Sequence, residues 1–324
     1  MKKNIAIIMG GYSSEYKISI KSGEVVYKIL SEEEDINIYK VIIKKDEWYH
    51  EDNDFTKYEI KKDTFQIIKN DQLISIDYVF NTIHGIPGEN GEIQSYLEEI
   101  GINQTSSESY ESKITFDKNI CKEEIKKIGY LTPKSLIINK NDHYNVEEIL
   151  SKLKLPIFIK PNAGGSSFGI SRVDDKKNII NSINFCFKED DNALIEEEIS
   201  GREISVGVIK YKNEIISLPP TEIISHNTFF DYDAKYNGES DEITPANITK
   251  EEEEEVRKIS LDIYKKLNLK GFSRCDFILR NNLFYFLEVN TNPGLTEESI
   301  LPQQAKAANI SLKDLFRSVI DKYE

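Results

Sequence analysis

Gly271-Phe272-Ser273-Arg274-Cys275-Asp276-Phe277-Ile278-Leu279-Arg280 and, after Asn281-Asn282, Leu283-Phe284-Tyr285-Phe286-Leu287-Glu288-Val289-Asn290 are two apolar runs interrupted by acidic and amide side chains. Buried strands do not carry Asp and Glu without partners. Asn281-Asn282 is a turn between two β-rich runs, so the segment reads as a hairpin whose side chains alternate between faces. Asp276 then shares a face with Arg274, and Glu288 with Asn290. If the loop is odd in length, with Arg280 opposite Phe284, Asp276 faces Glu288 and Arg274 faces Asn290. Two carboxylates and an amide oxygen would repel as bare groups, but they form a hard-oxygen cage for Mg2+. The competing reading is a structural ion pair between Arg274 and Asp276 on an edge hairpin. Three oxygen ligands in register beside a cation favour the metal. Thr291-Asn292-Pro293-Gly294 then turns the backbone toward whatever that metal holds.

A chain of 324 residues, 39% hydrophobic and 30% charged, can bury a large core and suggests two or three lobes. Its formal charge of -14, with no basic stripe, argues against nucleic acid and anionic membrane as partners. Cys121, Cys186 and Cys275 lack CxxC spacing, so neither a zinc site nor a disulfide framework is indicated, and they fit a reducing cytoplasm as small core residues. The apolar run Ile5–Met9 is too short for a signal-peptide core or a membrane span, so a cytoplasmic location is expected.

Ile5–Met9 before Gly10-Gly11 reads as a central parallel strand feeding a glycine turn, and Ser13 and Ser14 read as caps of the helix that follows. Further strands are expected near Ile38–Ile43 and Tyr78–Ile83, which gives an α/β first lobe. Lys113–Ile128 has helical spacing, closed by Gly129. Leu155–Lys160 is a strand, followed by the loop Pro161–Gly169 and a strand at Ile170–Val173. The span 218–245 reads as a long irregular lid, and Thr249 caps a helix whose acidic start, Glu251–Glu255, is a solvated first turn rather than a ligand cluster. Gly164–Gly169 offers backbone N–H groups for phosphates, a weak signal alone that Lys160 and Lys118 strengthen. Glu196–Ile199 and Glu203 could supply an adenine edge and a ribose carboxylate, although Glu197 and Glu198 also read as surface charge.

Gly10–Glu15, His84-Gly85 with Gly88–Gly91, Lys160-Pro161 with Gly165–Ser167, Asp233–Tyr236, Arg274–Asp276 and Glu288–Gly294 occur in one order over almost the whole chain. Together they resemble the D-alanine–D-alanine ligases of the ATP-grasp superfamily. The resemblance implies an α/β ATP-grasp fold of three lobes. These would be residues 1–106, 107–199 and 200–324, with a lid at about 219–245. It also implies ATP and two Mg2+ ions, replaceable by Mn2+, a homodimer, and ligation of two D-alanines through an acylphosphate.

Carried onto matching positions, Lys118 and Lys160 would hold phosphates, Glu196, Glu197 and Ile199 the adenine, and Glu203 the ribose. Asp276, Glu288 and Asn290 would bind the metals, and Lys235 the γ-phosphate. Glu15 would receive the first ammonium, with Ser166 and Tyr236 hydrogen-bonded to it and His84 nearby. Arg274 and the Gly294 N–H would stabilise the oxyanion, while Ser299 and the Ile300 N–H would take the second carboxylate. Tyr12, Tyr16-Lys17 and Asn90 depart from the commonest family pattern and bear on the packing around Glu15.

The alternatives are a D-lactate or D-serine ligase, and a nucleotide-binding regulatory protein without turnover. Tyr236 favours the dipeptide ligase over the first, and the retained metal set and Lys235 argue against the second. A dinucleotide-binding dehydrogenase would need GxGxxG spacing, which Gly10-Gly11 does not supply.

Overall fold

A computed structural model describes residues 2–165, 168–225 and 240–320. The strand Lys3–Gly10 lies inside an eight-stranded sheet, paired in parallel with Ile36–Ile43 and Tyr78–Asn81. Its residues alternate between two cores. Ile5, Ile7 and Met9 pack with Val26, Leu30, Phe80 and Phe316, whereas Ala6 and Ile8 pack with Val41, Val79 and Leu97. Covered on both faces, the strand reads as an unbroken apolar run. The helix Tyr16–Leu30 approaches it closely at Gly23, where a Cβ would sit 2.6 Å from Met9 Cε.

A four-stranded antiparallel sheet follows, in the order Ser171–Val173, Ile157–Pro161, Asn192–Glu197 and Ser135–Asn139. A third sheet runs Ser240–Ile243, Thr221–Ser225, Arg202–Tyr211, Ser273–Arg280 and Leu283–Asn290, with Glu214–Ser217 beside Arg202–Tyr211. The terminal helix Leu312–Ile320 packs into the core of Ile5, Ile7 and Met9, and Tyr78 donates its hydroxyl proton to the Val319 carbonyl at 2.9 Å. The last segment of the chain thus closes onto the first sheet.

Four expectations change. The Asn281-Asn282 loop is even, with both residues at positive φ, and Arg280 faces Leu283 instead of Phe284. A β-bulge between Asp276 and Phe277 then shifts the register by one, so Asp276 still faces Glu288 and Arg274 faces Asn290. The single helix expected over 113–128 is two, Ser109–Phe116 and Lys118–Lys127. Asp117 breaks it by turning extended, bridging to Ala163 and capping Ile120 N–H at 2.8 Å. The ends of the irregular span are strands, Thr221–Ser225 paired with Ser240–Ile243. Finally, Ser13 does not cap the first helix. It receives the Glu15 N–H and donates to the His84 carbonyl, tying two turns together.

Candidate active site

A cavity of about 320 Å3 is lined by residues of the first turn, the His84 turn, the loop after Ile157–Pro161, the hairpin and the segment before Ile300–Ala307. Nine of the residues singled out from sequence line it: Glu15, His84, Lys118, Arg274, Glu288, Asn290, Gly294, Ser299 and Ile300. Ser166, Lys235 and Tyr236 lie outside the described residues.

Glu15 immediately precedes the first helix, lines the cavity and is buried. Two glycines make room for its carboxylate. A Cβ at Gly85 would lie 2.7 Å from Oε2, and one at Gly165 would lie 2.9 Å from Oε1. Gly85 also sits at φ +66°, a conformation that favours glycine, and its N–H donates to Glu89 Oε2 at 3.0 Å. Glu89 Oε1 has no hydrogen-bond partner among the described residues. Burial, then the negative charge of Glu15, pushes the Glu89 carboxyl well above the usual range.

His84 is buried, with Nδ1 2.9 Å from the Asn292 carbonyl and Nε2 3.0 Å from Ser22 Oγ. A carbonyl can only accept, so Nδ1 carries the proton and Nε2 accepts from the hydroxyl. Burial, with the positive Arg274 beside it, lowers the imidazole pKa to about 4 despite the carbonyl contact. The ring is neutral and its nitrogens are both engaged. It ties the turn after Tyr78–Asn81 to the turn after the hairpin, and a direct substrate contact would require one of these bonds to open.

The hairpin places its polar groups as paired residues. Arg274 grips Asp276 through Nε at 3.0 Å and Nη2 at 2.8 Å, and Ser205 donates to the same carboxylate at 2.6 Å. Burial lowers the Arg274 pKa, but Asp276 more than offsets that and the guanidinium stays charged. Glu288 Oε2 is 3.4 Å from Lys118 Nζ, which also donates to the Gly164 carbonyl at 2.5 Å. Asn290 Oδ1 accepts the Asn292 N–H at 2.8 Å. Asp276 faces Glu288 across adjacent strands, and Asn290 lies two residues beyond Glu288 on the same strand, a donor set that suits a hard cation. They fit magnesium, although the pairing with Arg274 and Lys118 means a metal would compete with both cations.

Beside the cavity, Lys160 Nζ is 2.6 Å from Glu196 Oε2, and Lys122 binds the other oxygen. Burial pushes Glu196 up, but Lys160 and Lys122 outweigh it and hold its pKa at about 2. Lys160 itself is raised, since Glu196 and Glu288 outweigh its burial. The Glu196 side chain is therefore committed to the lysines. The N–H of Glu197 donates to the Lys134 carbonyl, and its Oε1 receives the Lys134 N–H at 2.8 Å. Ile199 lies half-buried just beyond the strand, and Glu203 faces Ile278 and Ile223 in the third sheet.

Ser299 precedes the helix Ile300–Ala307 without a side-chain cap, its hydroxyl 2.7 Å from Thr296 Oγ1. A Cβ on Gly294 would come within 2.8 Å of Ser299 Oγ. The first-turn N–H groups of this helix are suited to a carboxylate.

Sequence reading assigned nothing to Glu89, Lys122 or Glu242. Lys122 was open to discovery, because it follows Lys118 by four residues on the same helical face. Glu89 and Glu242 carried no local signal, since each depends on neighbours far along the chain.

Comparison with known proteins places this arrangement. The profile of the D-ala D-ala ligase N-terminus matches residues 4–107, and that of the D-ala D-ala ligase C-terminus matches residues 122–321. The D-alanine–D-alanine ligase of Christiangramia forsetii is 50% identical, with 99% of this chain and 98% of that protein covered. Among solved structures, the D-Ala:D-Ser ligase VanG of Enterococcus faecalis superposes with a TM-score of 0.89 at 30% identity, covering 100% of both chains. The D-alanine–D-alanine ligase of Bacillus anthracis, solved with ATP, superposes with a TM-score of 0.78 at 31% identity, covering 98% of this chain and 96% of that one.

Proposed function

The chain belongs to the D-alanine–D-alanine ligase family, an ATP-grasp fold, and makes D-alanyl-D-alanine for peptidoglycan synthesis in an ATP-dependent reaction; we propose that it works through a D-alanyl phosphate in the cavity around Glu15, Arg274 and Ser299. The observation that carries this reading is the pairing of Asp276 with Glu288 and of Arg274 with Asn290, on a hairpin facing Glu15 across one cavity.

A carboxylate is a poor acyl donor at neutral pH, and phosphorylation by ATP supplies a leaving group. Glu15, fixed by Gly85 and Gly165, receives the ammonium of the first D-alanine. Lys118 and Lys160 offset phosphate charge, while Arg274 and the Gly294 N–H stabilise the tetrahedral oxyanion. Ser299 and the Ile300 N–H hold the second carboxylate. Asp276, Glu288 and Asn290 would hold two magnesium ions, or manganese in their place, which would neutralise phosphate oxygens. Glu197 and Ile199 serve the adenine through backbone groups, with Glu196 holding the two lysines beside it, and Glu203 serves the ribose. Ser166, Lys235 and Tyr236 retain their expected roles with Glu15 and the γ-phosphate. One sheet in each segment supports division at 1–106, 107–199 and 200–324, with a lid near 219–245.

No helix among the described residues is long and apolar enough to cross a membrane. The acidic balance of the sequence argues against nucleic acid and anionic membrane as partners, and family likeness supports small-molecule substrates, a cytoplasmic location and a homodimer.

Phosphate release from ATP tests the function, with D-alanine compared with L-alanine, D-lactate and D-serine as acceptors. Release that requires D-alanine is expected, and release independent of any D-amino acid would remove the assignment.

A further inference from the structure

Gln304 is a fully buried polar residue to which the reaction described above gives no task. It lies one turn after Ile300 on the same face of the helix Ile300–Ala307, and both ends of its amide reach the third sheet. Oε1 accepts the Gly207 N–H at 2.9 Å, while Nε2 donates to the Ser205 carbonyl at 2.8 Å and to Thr221 Oγ1 at 3.1 Å. A flipped amide would set N–H against N–H and oxygen against oxygen, so the group has one way to lie. On this edge Arg202–Tyr211 changes partner, from Thr221–Ser225 at Ser205 to Glu214–Ser217 at Val208, and Gln304 is seated at the change. Gly207 permits the approach, since a Cβ there would lie 2.6 Å from Gln304 Oε1 and 2.5 Å from Leu301 Cδ1.

Ser205 joins two parts of the site. Its hydroxyl donates to Asp276 at 2.6 Å, and its carbonyl holds Gln304. Ser205 is itself fixed opposite Asp276 by the pairing of Arg202–Tyr211 with Ser273–Arg280. The helix has no such ladder. It is held by the Gln304 amide and by the packing of Leu301 and Ala305 into the core. The amide therefore ties the helix start, at Ser299 and Ile300, to the strand that carries the support of the metal-binding hairpin.

We propose that Gln304 is a positioning residue for the second substrate: it locks the helix Ile300–Ala307 to Ser205 and Gly207, so that Ser299 and the Ile300 N–H stand where the second carboxylate must lie for its amine to reach the acyl carbon. The inference rests on the ligase reading above, in particular on the second carboxylate binding at Ser299. Phosphorylation of the first D-alanine uses no group of this helix and does not depend on the lock.

Hydroxylamine separates the two halves of the reaction, because it has no carboxylate to be held. Its nitrogen attacks the acyl carbon of D-alanyl phosphate, phosphate leaves with the C–O bonding pair, and D-alanine hydroxamate forms. Gln304→Met keeps the length of the side chain but removes its three hydrogen bonds. The KM for D-alanine at the second site is expected to rise about 10-fold, with hydroxamate formation and the KM for ATP within about 2-fold of wild type. Gly207→Ala pushes on the same helix from the strand and should give the same split. A role in stability alone would lower the amount of active protein, and so both rates together, without moving the second-site KM. The split in either variant supports the proposal; its absence from both, through an unchanged second-site KM or a parallel fall of hydroxamate and dipeptide, overturns it. Ser299→Ala in the same assays probes the underlying reading: an unchanged second-site KM there would place the second carboxylate elsewhere, and wild-type protein that forms neither product would remove the ligase assignment.

Discussion

Glu196 and Glu89 are both buried carboxylates within the same molecule, and their charged neighbours take them to opposite states. Glu196 lies between Lys122 and Lys160, whose charges more than offset its desolvation, so it stays an anion. Glu89 has one N–H donor and another glutamate for a neighbour, so burial wins and the acid form is favoured. The ion triad is closed and internally satisfied, whereas the acidic wall of the cavity is incomplete until substrates and metal arrive. Substitutions in the first should cost stability, and substitutions in the second should cost activity.

The sharpest break of this contrast is Glu288→Gln. It keeps shape and hydrogen bonding but removes a metal-binding charge, and turnover is expected to fall at least about 1000-fold with little change in melting temperature. An active variant would refute the metal role. In the closed region, Lys122→Met leaves Glu196 with half its compensation, and a loss of about 3–5 kcal/mol is expected in urea unfolding. A loss below about 1 kcal/mol would mean that water reaches the triad.

Acid titration separates the regions next. Glu196 has a folded pKa of about 2 against an ordinary 4.5, so its contribution is complete above pH 4.5 and is lost as pH falls toward 2. That difference corresponds to about 3 kcal/mol, and Glu196→Gln should flatten stability over this window. Glu89 has the opposite sign. Its folded pKa is raised, so wild-type stability falls as pH climbs above about 4.5 toward that value. Glu89→Gln should remove this fall and be more stable than wild type at pH 8, measured by denaturant unfolding, whereas equal curves for variant and wild type would show that Glu89 titrates normally.

The hairpin shows how far sequence can reach and where it stops. Alternation, apolar content and the acidic interruptions identified which residues meet across the strands. The route to that register was different: a two-residue turn followed by a bulge, in place of an odd loop. Both routes yield the same pairs because each adds one residue to the same strand. Periodicity alone could not place that residue. The split of the expected 113–128 helix was also invisible, since Asp117 leaves the helix to bridge Ala163, forty-six positions away. Likewise, the pairing of Thr221–Ser225 with Ser240–Ile243 lay inside a span whose composition resembled a loop.

Local order determined much of this protein by itself: the buried strand Ile5–Met9, the capped helix after Thr249, the acidic hairpin, and the ordered motifs that identify the family. These are short-range patterns of burial and turn chemistry, written in adjacent residues. Tertiary structure alone decided which carboxylates are charged. The state of Glu196 or Glu89 depends on cations and anions brought beside it from distant segments, and desolvation energies have no counterpart in an unfolded chain.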